Sequence, residues 1–292
     1  MSRKRGDALD PMKGPASESL NPSVDASSGG TRSPEGSYWN SVVAAWQPDE
    51  RHAAWRSHCE ALSSDLLNRW LPHGRIARLL KTDLFDEAVA AGLVPALSAR
   101  AESVNGIDIA ESVVRGAKSR NPKLETVTAD VRALPYADYS FDVILSGSTL
   151  DHFVTHAELE TSLRELHRVL VRGGTLILTL DNPDNPLIAL RNWLPRAALQ
   201  ERGIVPYYVG ATMNGKRLRR VLTDMSFEVH EVSAFEHSPR VLAVALSAFL
   251  RDRASAANQE RFARILSAFE TLGNWPTRFL TGHFVAVRAT RR

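Results

Sequence analysis

Short apolar runs alternate with segments of helical periodicity through most of the chain, after a polar beginning. Five of the apolar runs are continuous enough to predict buried strands. They are Arg75–Leu80, Ser103–Ile109, Leu124–Thr128, Phe141–Ser146 and Gly174–Leu180. Strands that are apolar on both sides are typical of a parallel sheet whose two faces are covered by helices.

Helical patterns fill the intervals between these runs, and two further strands follow them. The predicted helices are Asp86–Ala99, Ala110–Ser119, Ala157–Leu170 and Gly215–Met225, and the later strands are Phe227–Val232 and Phe279–Arg288. The pattern therefore predicts an α/β fold with a Rossmann-like, doubly wound, seven-stranded and mostly parallel sheet.

The order of these segments suggests three regions. Residues 1–36 are rich in Ser, Gly, Pro and Asp, and we interpret them as a disordered leader. Residues 37–72 form an N-terminal helical segment, which either packs on the main domain or acts as a lid over a substrate pocket. The main domain is expected at 73–290, with partly helical insertions at 183–213 and 239–275.

Composition narrows the function classes. The 36 basic and 33 acidic residues are interleaved and leave a net charge of only +3, which does not predict a nucleic-acid partner. The single cysteine excludes an internal disulfide and favours a reducing compartment. With no apolar stretch long enough for a membrane span and no secretory signal, a cytoplasmic protein is expected. The scattered histidines predict no metal site, and the oligomeric state stays open.

Carboxylates follow two of the predicted strands. In an open parallel sheet, ligands bind beyond the carboxyl ends of the strands. Asp108 ends the second strand, where it could accept hydrogen bonds from a ribose. Asp130 follows the third strand, where its carboxylate and the amide of Val131 could read an adenine edge. Each aspartate could instead cap a helix or a turn.

Two longer runs carry a family resemblance. ADVRALPYADYSFDVILS (Ala129–Ser146) and LRELHRVLVRGGTLILTL (Leu163–Leu180), together with GIDIA (Gly106–Ala110), resemble class I S-adenosylmethionine-dependent methyltransferases. The similar branch is the methyltransferase type 11 group, related to the ubiquinone and menaquinone enzymes. The resemblance implies S-adenosyl-L-methionine as cofactor. It also implies that Asp108 binds the ribose and that Asp130 and Val131 bind the adenine; Ile109 and Ser146 are further candidate cofactor residues.

The first loop departs from that family. An acid and a glycine-rich turn are expected after the first strand, but the chain has KTDLFDEA, with no glycine before Gly92. The run resembles a variant loop of a smaller methyltransferase branch. We expect Asp83 to meet the cofactor's ammonium group, and Lys81 or Thr82 its carboxylate. The alternative is that Asp83 only caps the following helix.

Candidate catalytic and substrate residues follow the fourth and fifth strands. His152 is a candidate general base, which Asp151 could orient, although both could be structural. Asn182, Tyr207 and Tyr208 are candidate substrate residues. The predicted function is methyl transfer to a small-molecule, lipid-linked or sugar-linked metabolite, with oxygen favoured as the acceptor atom.

Two rival functions remain. The altered first loop is compatible with a catalytically inactive methyltransferase fold that serves as a binding or regulatory protein. An NAD-dependent dehydrogenase also carries an acid after its second strand, but it needs a G-x-G-x-x-G turn that this chain lacks.

Overall fold

The computed structural model describes residues 34–45, 53–195, 208–251 and 256–292. Seven strands form one sheet in the order β3-β2-β1-β4-β5-β7-β6, and β7 runs antiparallel to both of its neighbours. The strands are β1 Ile76–Lys81, β2 Ala101–Asp108, β3 Glu125–Thr128, β4 Phe141–Gly147, β5 Leu170–Asp181, β6 Phe227–Phe235 and β7 Phe284–Arg291. The doubly wound, mostly parallel sheet that the sequence predicts is confirmed.

Helices connect the strands and extend the fold at both ends. They are α1 Pro34–Ala45, α2 Ala53–Trp70, α3 Phe85–Val89, α4 Val94–Ser98, α5 Glu111–Arg120, α6 His156–Val169, α7 Pro186–Trp193, α8 Gly215–Asp224, α9 Arg240–Arg251, α10 Ala256–Phe269 and α11 Arg278–Thr281. Helix α6 begins with a capping box, in which Thr155 and Glu158 satisfy each other's backbone amides.

The hydrophobic core is divided between the two faces of the sheet. One half centres on Phe141, Leu163 and Leu218, beneath α6 and α8. The other half includes Trp70, Leu97 and Val113, beneath α2 and the helices between β1 and β3. Because helices cover both faces, polar ligands can reach the sheet only at the ends of its strands.

Three boundaries differ from the sequence prediction. The predicted helix Asp86–Ala99 is two short helices, because Gly92 takes a left-handed conformation with φ of 58° between them. The last strand begins at Phe284, since Arg278–Thr281 forms a helical turn first. Helix α1 begins at Pro34, inside the segment interpreted as a leader, whose residues 1–33 lie outside the described part of the chain.

The insertions and the N-terminal helices lie around the main domain. Trp55 on α2 packs with Ala243 on α9 and with Phe262 on α10, so the second insertion is anchored on an N-terminal helix. Helix α7 opens the first insertion, and the Asn185 side chain caps it by accepting a hydrogen bond from the Leu187 amide.

Candidate functional site

The carboxyl ends of the parallel strands meet at one edge of the sheet. The strand order reverses between β1 and β4, which are neighbours through Leu80 and Ile144. Such a switch point opens a crevice where ligands of α/β proteins bind. The sequence-predicted site residues after β1, β2, β3 and β4 therefore share this edge.

Asp108 ends β2 and joins two loops of this edge. Its carboxylate accepts hydrogen bonds from the Ala110 amide at 2.9 Å and from the Leu84 amide at 3.1 Å. Burial and the nearby charge of Asp83 raise the pKa of Asp108 to about 7, against these two hydrogen bonds, which lower it. Each carboxylate oxygen has a second acceptor position, so the contacts are compatible with a ribose ligand.

A cavity of about 450 Å³ opens between the ends of β2 and β3. This volume lies within the usual range for small-molecule sites. Its lining residues are Gly36, Asn40, Ile109, Glu111, Thr128, Ala129 and Asp130. The cavity opens beside Asp130, where the sequence predicts the adenine, and the next residue, Val131, is buried in the core. The residues present thus fit an adenosine-bearing cofactor.

Arg132 forms an ion pair with the Asp130 carboxylate in this structure. Its guanidinium donates to Asp130 Oδ2 at 2.6 and 2.9 Å and also pairs with Glu158 and with Glu35 on α1. The guanidinium lies 4.8 Å from the ring centre of Phe153. Nothing in the sequence pattern singled out Arg132.

The loop after β1 is built on a buried ion pair. Lys81 Nζ lies 2.8 Å from Glu87 Oε2 and also donates to the backbone and the carboxylate of Asp83. Burial would lower the pKa of Lys81, but Glu87, Asp83 and Asp86 outweigh it and raise the pKa above its usual value. The Lys81 ammonium, one of the two groups expected at the cofactor carboxylate together with Thr82, is enclosed by these acids in this structure.

Hydroxyl groups join the ends of β1 and β4. Thr82 Oγ1 donates to Ser146 Oγ at 2.9 Å and lies 3.0 Å from Thr149 Oγ1. Thr82 and Ser146 are both buried, so these two predicted cofactor residues lie together and brace the centre of the crevice. Asp83 is partly exposed beside them, and its carboxylate accepts a hydrogen bond from the Phe85 amide at 3.0 Å, at the start of α3.

His152 and Asp151 have different environments. His152 Nδ1 lies 2.7 Å from the Tyr208 carbonyl, which can only accept, so Nδ1 carries the hydrogen and the neutral ring keeps its lone pair on Nε2. Asp151 is buried and accepts from the Asp181 amide at 2.8 Å and from the Ser148 hydroxyl. Burial and the charge of Asp181 raise the pKa of Asp151. Asp151 does not orient His152 in this arrangement; it joins β4 to β5.

The substrate residues predicted after β5 are placed differently. Asn182 is fully buried and donates to the carbonyls of Phe279 and Gly282, so its amide is committed to the fold rather than to a substrate. Tyr208 lies against the edge, since its amide donates to Tyr38 Oη at 2.8 Å. Tyr207 lies outside the described residues.

Asp181, rather than Asn182, is the polar centre at the end of β5. Its carboxylate lies 2.6 Å from Arg191 on α7 and 3.4 Å from His283 at the start of β7. Burial opposes ionisation, but His283 and Arg191 outweigh it and hold the pKa of Asp181 below its usual range. His283 was too distant in sequence for any spacing argument to join it to Asp181.

Helix α1 crosses this edge of the sheet. The Asn40 carboxamide accepts hydrogen bonds from the amide and the hydroxyl of Ser112 at the start of α5. The rings of Trp39 and His152 are 4.7 Å apart. Through these contacts and the Glu35–Arg132 ion pair, α1 covers the crevice from β3 to β4.

The described residues hold no group of three or more histidine, cysteine or acidic side chains placed to bind a metal ion. Within the same ranges, every helix is too short or too polar to cross a bilayer.

Comparisons with known proteins agree with this architecture. Residues 88–178 match a family model described as a methyltransferase domain. A probable S-adenosylmethionine-dependent methyltransferase of Mycobacterium tuberculosis is 26% identical over 141 residues, 48% of this chain and 46% of that one. The demethylmenaquinone methyltransferase of Chlorobaculum parvum is 30% identical over 39% of this chain and 50% of its own length. The chain thus spans half or less of the length of these curated relatives.

A solved structure shows the same fold over a larger share of the chain. The S-adenosylmethionine-dependent methyltransferase of Mesorhizobium loti superposes with a TM-score of 0.52 at 17% identity, covering 80% of this chain and all of that one. The fold and the matched domain define a Rossmann-like methyltransferase. The family match, the relatives and the fold support the class I S-adenosylmethionine-dependent methyltransferase that the sequence runs predicted.

Proposed function

We propose that the chain transfers a methyl group from S-adenosylmethionine to an oxygen atom of a small-molecule, lipid-linked or sugar-linked metabolite. The observation that carries this proposal is the cavity at the ends of β2 and β3, with His152 anchored in the loop after β4 at the same edge of the sheet. Bound there, the cofactor would supply an electrophilic methyl group, and the chain would supply orientation and a base.

Cofactor binding is assigned to the strand ends. Asp108 would accept from the ribose hydroxyls, with Ile109 against the sugar, and Asp130 with the Val131 amide would meet the adenine. Arg132 must then share or release the Asp130 carboxylate. Asp83 is proposed for the cofactor's ammonium group, because Lys81 holds it at the mouth of the crevice.

His152 is the proposed general base. The Tyr208 carbonyl fixes the tautomer that keeps the lone pair on Nε2, and Trp39 limits the movement of the ring. A hydroxyl acceptor loses its proton as it is methylated, and an imidazole is suited to receive that proton near neutral pH. A nitrogen acceptor that is already neutral has less need for a base.

The insertions favour an acceptor that has an apolar part. Nine of the thirteen exposed large apolar side chains that the structure describes lie within residues 183–213 and 239–275. Trp193, Val241 and Leu187 are the most exposed of them, at 81, 75 and 67%. Both insertions adjoin the Asp181–His283 edge, so an apolar carrier or chain could contact them while its polar end enters the crevice.

A label-transfer experiment tests the proposal. The protein is incubated with S-adenosylmethionine carrying a ¹³C-methyl group and with lipid, glycan and small-metabolite fractions. Transfer to an oxygen, recognised from the carbon chemical shift, supports the full proposal, whereas transfer to nitrogen or carbon overturns the choice of acceptor atom. No transfer to any fraction by a protein that binds S-adenosylhomocysteine would favour the inactive binding protein.

That inactive protein is the second candidate, and one observation favours it. Arg132 already forms an ion pair with the Asp130 carboxylate, and α1 lies over the crevice. Both features are expected of a methyltransferase fold that has lost catalysis. The proposed setting is the cytoplasm and the proposed partner a small molecule rather than a nucleic acid, in line with the single cysteine and the interleaved charges.

A further inference from the structure

The loop after β1 is shaped by side chains where the family uses glycines. We propose that Lys81 and Glu87 are positioning residues, whose buried ion pair replaces the glycine-rich turn and holds the Leu84 amide against Asp108. This inference rests on the proposed function, because its consequence is measured as cofactor affinity.

Lys81 has no bonding capacity left for a ligand. An ammonium group has three N–H donors, and three acceptors surround this one. They are the Asp83 carbonyl, Asp83 Oδ2 at 3.3 Å and Glu87 Oε2 at 2.8 Å. The Lys81 side chain is only 5% exposed, and that of Glu87 is not exposed at all. Because the charges of Lys81 and Glu87 are buried and paired, these side chains can affect a ligand only through the loop residues that they hold in place.

Glu87 extends the pair to the far side of the loop. Its second oxygen, Oε1, accepts from the Leu93 amide at 2.9 Å. Gly92 makes room for this carboxylate, since a Cβ there would lie 2.4 Å from Glu87 Oε1. The glycine of this loop, Gly92, thus lies behind the ion pair and not in the crevice. Its missing side chain leaves space for the Glu87 carboxylate rather than for a cofactor.

Leu84 connects the loop to the proposed ribose site. Its side chain is fully buried against Gly106 on β2, where a Cβ would lie 2.5 Å from Leu84 Cδ2. Its amide donates to Asp108 Oδ2 at 3.1 Å. The ion pair fixes the loop, the loop fixes Leu84, and Leu84 orients the carboxylate that would hold the ribose.

The charge of Lys81 reaches Asp108 as well. Lys81 lowers the pKa of Asp108, whereas Asp83 raises it. Removing the ammonium should therefore raise the pKa of Asp108 further, which a purely mechanical support of the loop would not do. This difference provides a measurement that separates a positioning role from general stabilisation.

Calorimetry with S-adenosylhomocysteine on Lys81→Met and Glu87→Gln tests the inference. Displacing a positioned binding group should weaken affinity by roughly tenfold in each variant. In Lys81→Met the pH at which binding is half lost should also move upward. Arg75→Met and Glu102→Gln are matched controls, since that ion pair is 77 and 52% exposed at the other end of the strands, and they should bind as the wild type does.

A second pair of variants decides the matter if Lys81→Met does not fold. Gly92→Ala drives a methyl group into Glu87, whereas Gly173→Ala meets a similar φ, 74° against 58°, with nothing within 4 Å. Both should lose stability, but only Gly92→Ala should lose affinity. Unchanged affinity in folded Glu87→Gln and Gly92→Ala would overturn the inference. A wild type that does not bind S-adenosylhomocysteine would instead overturn the proposed function.

Discussion

The two halves of the sheet edge differ in how their carboxylates are held. On the β2–β3 side, Asp108 accepts from two backbone amides, and its neighbour Ile109 lines a cavity. On the β5–β7 side, Asp181 is buried between Arg191 and His283. Backbone amides hold Asp108 without a cation in contact, whereas cations contact the carboxylates of Asp181 and of Asp130, which pairs with Arg132. We therefore propose that the first half receives the cofactor, once Arg132 shares or releases Asp130, and that the second half holds the insertions around an acceptor.

The largest expected effect lies between the two halves, at His152. His152→Asn should lower kcat by roughly 10²- to 10⁴-fold, the usual contribution of a general base, while leaving S-adenosylhomocysteine affinity within about twofold. Steady-state turnover of an identified acceptor, with calorimetry on the same preparation, measures both.

His156 provides the control for that variant. His156 Nε2 lies 3.0 Å from the Thr212 carbonyl. His156 therefore contacts the same segment, residues 208–212, that His152 contacts, but it lies outside the loop that follows β4. His156→Asn should keep most of the turnover. Equal losses in the two variants would mean that His152 only supports the segment that starts at Tyr208.

The next effect tests the cofactor half. Asp108→Ala should weaken S-adenosylmethionine binding by roughly 1.5–3 kcal/mol, about 10- to 150-fold, because a hydrogen bond to a charged group is lost. Asp142→Ala is a matched control, since Asp142 Oδ2 also accepts from two backbone amides, those of Ala77 and Arg78, but at the opposite edge. If both variants bind the cofactor normally in calorimetry, Asp108 does not belong to the site.

Proton linkage at Asp108 gives a smaller effect. With its pKa raised to about 7 in the folded protein, the ligand-free chain gains stability from this group at low pH and loses it as pH rises through 7. Binding that needs the carboxylate has the opposite dependence and should weaken by up to about tenfold per unit below pH 7. Thermal unfolding and calorimetry between pH 5.5 and 8.5 measure the two slopes, and Asp108→Asn should flatten both.

Sequence patterns carry more information on the cofactor half than on the acceptor half, for a physical reason. Asp108 and Asp130 follow their strands directly, so local pattern and parallel topology suffice to bring them together. Arg191 and His283 reach Asp181 from different elements, 10 and 102 residues further along the chain. Periodicity carries no information on such contacts.

The same limit applies to the candidates Lys81 and Asn182. Lys81 and Asn182 lie at the ends of strands, as ligand-binding residues do. Each side chain is nevertheless buried and hydrogen-bonded to other groups of the protein. Only packing distinguishes the two cases. The role of α1 was equally hidden, because its contacts to Ser112, His152 and Arg132 come from segments more than 70 residues away.

The smallest expected effect concerns the cover that α1 forms over the cofactor half. Glu35 on α1 forms an ion pair with Arg132, which also pairs with the Asp130 carboxylate that is proposed to bind the adenine. Glu35→Gln removes one charge from a half-exposed ion pair, and such pairs contribute about 0.2–1 kcal/mol. The variant should therefore release S-adenosylhomocysteine roughly 1.5- to 5-fold faster in stopped-flow experiments. Glu160→Gln, which breaks an exposed pair with Arg164 on α6, should leave the rate unchanged. If Glu35→Gln releases S-adenosylhomocysteine at the wild-type rate, α1 packs on the domain without limiting access to the cavity. Ligand exchange at the cofactor half would then not depend on the N-terminal helix.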